Sequence, residues 1–62
     1  MKTGEWFVTV MDSVGGWMWA VMRQEEGYAE PYSTADLKRA TREEAVSDAK
    51  IIARQMEIKH ES

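Results

Sequence analysis

The chain has 62 residues, enough for one small domain that hides only about 60% of its unfolded-chain surface. It contains no cysteine and a single histidine, His60, which excludes disulfides and any Cys-containing zinc site. With 8 basic and 11 acidic residues the net charge is −3, which excludes a strongly basic nucleic-acid binder but not a local basic patch.

The first third has the pattern of a β-hairpin. Glu5 to Met11 is rich in aromatic and β-branched residues, the types that fit a pleated surface. Asp12-Ser13-Val14-Gly15-Gly16 carries turn residues, and Trp17 to Gln24 resumes strand character. Glu25-Glu26-Gly27 is a second tight turn. Tyr28 to Ser33 is a candidate third strand, placed at a sheet edge because Pro31 has no N–H for a ladder.

Residues 34–40 are open to several readings. Ser33-Thr34-Ala35-Asp36 has capping-box spacing and would start a short helical turn; a single helix from Thr34 to Ile58 is the less favoured alternative. Whether residues 28–40 form a strand, a helical turn or a loop stays open. Thr41-Arg42-Glu43-Glu44 is a second capping box, with both glutamates where a helix dipole favours negative charge. From there Ala45, Val46, Ala49, Ile52, Ala53 and Met56 recur on one helical face, so a helix is expected over 42–57. Ile51 and Ile58 fall off that stripe, and either widen it or are exposed.

The expected fold is α+β: a two- or three-stranded antiparallel sheet, beginning with the N-terminal hairpin, against one C-terminal amphipathic helix. All 62 residues form a single domain in this reading. If the first hairpin has an even loop, one sheet face carries Trp6, Val8, Val10, Trp17, Trp19 and Val21. The other then carries Phe7, Thr9, Met11, Met18, Ala20 and Met22. An odd loop mixes the two sets. Both faces are apolar either way, and one helix covers only one.

Catalysis is not expected. A nucleophilic triad needs a base beside a Ser or Cys, and His60 lies in a segment expected to be a solvated, frayed tail. Glu25-Glu26 and Glu43-Glu44 fit turn and helix-start positions better than an acid–base pair. Gly15-Gly16 belongs to no phosphate-binding pattern, no EF-hand spacing occurs, and no cofactor or metal is implied. The longest apolar run, Gly15 to Met22, is far short of the roughly 20 residues a membrane span needs. No apolar signal region follows Met1, so a cytoplasmic location is expected.

What remains is surface. The unpaired sheet face makes Phe7, Met11, Met18 and Met22 candidate protein-interface residues, expected to form a homodimer. Glu25, Glu26, Glu30 and Asp36 are read as an acidic rim that steers a protein partner with a basic surface. The alternative is a nucleic-acid-binding module using Lys38, Arg39, Arg42, Lys50 and Arg54, with Trp17, Trp19, Tyr28 and Tyr32 as stacking platforms.

Trp17-Met18-Trp19-Ala20-Val21, followed by Thr41-Arg42-Glu43-Glu44-Ala45-Val46-Ser47-Asp48-Ala49, resembles the strand-then-helix segment of HicB-like antitoxins. It is also similar to short bacterial domains of unknown function. The resemblance implies two or three antiparallel strands ahead of one helix, and an antitoxin-type role. Small acidic sheet-and-helix proteins by which phages inhibit host machinery are similar in size and charge. The function expected is therefore a non-enzymatic protein-binding module, an inhibitor or adaptor acting on a nucleic-acid-handling protein.

Overall fold

The computed structural model describes residues 3–61. Strands β1 (Trp6–Ser13) and β2 (Gly16–Glu25) form an antiparallel hairpin around the two-residue loop Val14-Gly15. The loop is even, which resolves the face assignment: Val8 lies opposite Val21, Val10 opposite Trp19, and Phe7 opposite Met22. Gly16 is held at φ +139°, and a Cβ there would collide with the carbonyl oxygen of Arg39. That site requires glycine.

Glu26-Gly27 leads into β3 (Tyr28–Thr34), antiparallel to β2 and at the sheet edge that Pro31 demanded. Its register slips between Val21, opposite Ser33, and Met22, opposite Pro31, so that Tyr32 is an extra residue. This is a β-bulge. Beyond Thr34 the chain still tracks β2, because the Ala35 N–H donates to Trp19 O and Arg39 exchanges two backbone hydrogen bonds with Trp17. Those bonds occupy groups that a helical turn at Ser33–Asp36 would need, and no turn of helix forms. Asp36, Leu37 and Lys38 instead loop out between the two anchor points.

The helix α1 (Arg42–Met56) ends within one residue of its predicted limit. Thr41 is its N-cap and accepts a hydrogen bond from the Glu44 N–H at 3.3 Å. Glu57 closes the C-terminus in the left-handed region, at φ 57°, with its N–H donating to Ala53 O and Arg54 O.

The expected sheet of two or three antiparallel strands is too small and too uniform. A fourth strand, β4 (Lys59–His60), pairs parallel with β1, so the sheet is mixed with strand order β3-β2-β1-β4. Two residues carry no alternating pattern, so nothing local in the sequence marks them as a strand. Their pairing is set by the helix, which carries the chain across the sheet and delivers it to the far edge.

The helix lies on the Val8 and Val21 face. Ala45, Ala49 and Ala53 are buried, and the absence of longer side chains lets the backbone come close to the strands. Val8 and Val21 are 0% and 1% exposed, with Trp6, Val10, Trp19, Ile52 and Ile58 packed around them. Ile58 thus joins the core although it lies past the helix, whereas Met56, expected on the buried stripe, is 45% exposed. The smallest extent of the molecule is 16 Å, room for one sheet and one helix layer. Among the described residues there is no third layer.

So small a core makes individual methyl groups matter. Total stability for a chain of this length is about 3–9 kcal/mol. Val21→Ala is expected to cost roughly 2 kcal/mol in urea unfolding, from lost apolar transfer and the cavity left behind. Glu57→Gly is expected to act in the opposite direction. It relieves the left-handed backbone penalty at the helix C-terminus and should raise stability by up to about 1 kcal/mol in the same assay.

Candidate functional site

The sheet face away from the helix is the most unusual surface of the molecule. On β1 it presents Phe7, Thr9, Met11 and Ser13; on β2, Gly16, Met18, Ala20, Met22 and Gln24; on β3, Ala29, Pro31 and Thr34. None of these is charged. The strand charges of β1 to β3, at Asp12, Arg23, Glu25 and Glu30, have the register of the opposite face, the one the helix packs on. An antiparallel sheet with one wet face normally places its charges on that face. Here the arrangement is inverted.

The long side chains of this face tile one another. Met22 stands opposite Phe7 and Met18 opposite Met11, and beneath them Phe7 is 8% and Ala20 0% exposed. Met11, Met18 and Met22 are half-buried. The accessible part of the expected contact set is therefore its methionines, with Phe7 as the floor. Among the described residues, a charge reaches this side only at the β4 edge. Lys59, opposite Phe7, pairs with Glu5 at 3.3 Å and Glu61 at 3.5 Å. The hydrogen bond to Glu5 is the main reason the Lys59 ammonium is held above its ordinary pKa.

The expected acidic rim is split. Glu26 is exposed in the β2–β3 turn, and Glu25 beside it pairs with Arg23 at 3.5 Å. Glu30 is exposed midway along β3, against Trp6, Pro31 and Tyr32. Asp36 lies past the far end of that strand, roughly 20 Å from the turn at strand rise. The four carboxylates do not converge on one place.

The basic residues are divided in the same way. The Lys38 ammonium donates to the carbonyl of Val14 at 2.6 Å, bracing the tip of the first hairpin. Arg39 grips Asp48 through one guanidinium edge, donating from Nε to Oδ2 at 2.8 Å and from Nη2 to Oδ1 at 3.2 Å. Those hydrogen bonds, with the Asp48 charge, raise the Arg39 pKa. Arg42, Lys50 and Arg54 are exposed on α1 and form no ion pair among the described residues. The proposed stacking residues also divide. Trp17 and Trp19 are half-buried, while Tyr28 and Tyr32 are exposed. Tyr32 meets the Trp6 ring edge-on at 4.7 Å, and the Arg23 guanidinium lies 5.8 Å from the Trp6 centroid.

His60 is not the frayed tail residue that its position suggested. It is half-buried in β4 opposite Val8, and the next amide, Glu61 N–H, donates to Val8 O at 2.7 Å. Pairing with β1 is what orders it. Its Nε2 is buried and has no hydrogen-bond partner among the described residues. Among the described residues, no side chain forms a hydrogen bond with it. No group of three acidic or histidine side chains is placed to hold a metal ion among the described residues, and no helix there is long and apolar enough to cross a membrane.

No family model, curated protein or solved structure matches the chain.

The orphaned imidazole nitrogen gives a direct test of this environment. A buried polar atom without a partner is costly, and replacing it by an apolar group of similar size removes that cost. His60→Leu is expected to keep the fold and raise stability by about 1 kcal/mol in chemical denaturation. A loss of stability would show that the imidazole is satisfied in solution.

Proposed function

We propose that the chain is a non-catalytic protein-contact module that associates with a second copy of itself through the uncovered sheet face. The observation that carries this reading is the inverted charge distribution. The face left without a helix is the face without charged residues on β1, β2 and β3. A twofold pairing places the same apolar patch against itself with no charge to desolvate. Methionine suits such a contact because its flexible thioether chain adapts to an imperfect fit. Burial between copies also adds the apolar contact that a two-layer fold of this size lacks.

The wider role attached to this reading is that of a small bacterial or phage inhibitor or adaptor acting on a protein that handles nucleic acid. The net charge of −3 and the exposed carboxylates of Glu26 and Glu30 support approach to a basic protein surface. A second reading, direct nucleic-acid binding, draws on Arg42, Lys50 and Arg54, whose charges have no ion-pair partner among the described residues. It has fewer cations than the sequence promised, since Lys38 and Arg39 are engaged within the fold.

Sedimentation equilibrium is expected to give a dimer at micromolar concentration, shifted to monomer by Met18→Glu or Met22→Glu with the circular dichroism spectrum retained. A folded wild-type chain that stays monomeric at millimolar concentration would overturn self-association. Salt-sensitive binding to random-sequence DNA, lost in Arg42→Ala and Lys50→Ala, would replace the protein-contact reading with the second one.

A further inference from the structure

A separate site lies on the helix side of the sheet, at the edge opposite β4. The looped-out residues Asp36 and Leu37 stand apart from α1 and leave a cleft of about 290 Å³ between them. Trp19, Ala35 and Ile52 line it, Leu37 and Ile51 form its walls, and the Arg39–Asp48 pair closes one side. Leu37 is 76% and Ile51 54% exposed, so two of the large apolar side chains that the fold leaves in water border the same hollow. An apolar occupant would cover both.

Charge decides which occupant. Arg39 is neutralised by its two bonds to Asp48, and Lys38, next to Leu37 in the chain, directs its ammonium to Val14 O. Asp36 forms no ion pair among the described residues and is exposed. The lining of the cleft is left with one uncompensated carboxylate beside an aromatic and aliphatic hollow. We propose that this cleft binds a short peptide segment of a partner protein, in which one bulky apolar side chain is flanked by lysine or arginine. The apolar side chain enters against Trp19 and Ile52, between Leu37 and Ile51, and the adjacent cation meets Asp36.

Size supports a peptide side chain over a larger ligand. Pockets for drug-sized molecules run from about 300 to 1,000 Å³ and enclose most of the ligand, whereas this cleft lies at the bottom of that range and is open to solvent. A second copy of the chain fits less well. Its most exposed apolar side chain, Val14 at 92%, is flanked by both the Asp12 carboxylate and the Lys38 ammonium, so it brings no net positive charge toward Asp36.

This site is independent of the uncovered sheet face, so the proposal stands whether or not the chain dimerises. The test uses the full chain, labelled with nitrogen-15, and three capped pentapeptides: Gly-Arg-Phe-Arg-Gly, Gly-Glu-Phe-Glu-Gly and Gly-Arg-Ala-Arg-Gly. The first is expected to shift the amides of Asp36, Leu37 and Ile51, and to bind about tenfold more tightly than either control. Its advantage over the acidic peptide should shrink with added salt. Asp36→Lys should reverse the charge preference, and Ile51→Glu should remove the advantage of Gly-Arg-Phe-Arg-Gly over Gly-Arg-Ala-Arg-Gly; both positions are exposed, and an unchanged melting curve serves as the folding control. Equal binding of the basic and acidic peptides, or no shift at these amides at millimolar peptide, would overturn the proposal. So would shifts at these amides that follow protein concentration alone, which would assign the cleft to a second copy.

Discussion

A sheet has two faces, and this chain has one helix to cover them. The other features of the fold follow from how that single layer is spent. The alanines at 45, 49 and 53 bring α1 close to the strands, and close approach shields Val8 and Val21 almost completely with few side chains. The same economy leaves the helix no reach to β3. Trp6, Trp19 and Ile52 are then only half-buried, and Tyr32 and Arg23 complete the cover of Trp6 from the side. The far face has only its own methionines.

Arg39 shows how a short chain secures a layer that packing alone holds weakly. Its backbone exchanges two hydrogen bonds with Trp17 of β2, and its side chain grips Asp48 of α1. One residue thereby joins both layers. An exposed ion pair is worth little by itself, but this one is held in place by a backbone that the sheet has already ordered. Gly16 makes room for that backbone, since any side chain there would strike the Arg39 carbonyl. The turn of the first hairpin and the start of the helix are therefore linked through a residue between them.

Much of this arrangement was legible in the residues. The capping box at Thr41 and the alanine stripe located α1 because both signals are local: hydrogen bonds three residues apart and a repeat of one turn. The strands of the hairpin were legible from β-branched and aromatic residues, and Pro31 marked β3 as an edge. Face assignment was not legible, because it turns on whether the loop holds an even or odd number of residues, and Asp12, Ser13, Gly15 and Gly16 leave that number open. β4 was illegible for a different reason. A two-residue strand has no period, and only the tertiary path of the helix brings Lys59 and His60 beside β1. Of the candidate site residues, the methionine face was recoverable by counting layers. The cleft beside Trp19 was not, because Asp36 to Lys38 leave the line of the strand only when Ala35 and Arg39 are both tied to β2.

The parallel pairing of β4 with β1 also has a kinetic side. The contacts of β1 with β2 and of β2 with β3 close over turns of two residues, which form quickly and lose little chain entropy. β4 meets β1 only after nearly the whole chain has been ordered between them, for just two paired residues and the Glu61 bond to Val8. Such a contact forms late and opens first. Assembly then starts from a three-stranded meander that recruits the helix, and docking of the last strand turns the helix from an attached arm into a closed crossover. Transient opening runs in reverse. Residues 58–61 are expected to open first, exposing the β1 edge and His60 to water while the two hairpins stay closed, which amide hydrogen exchange at His60 and Glu61 would report.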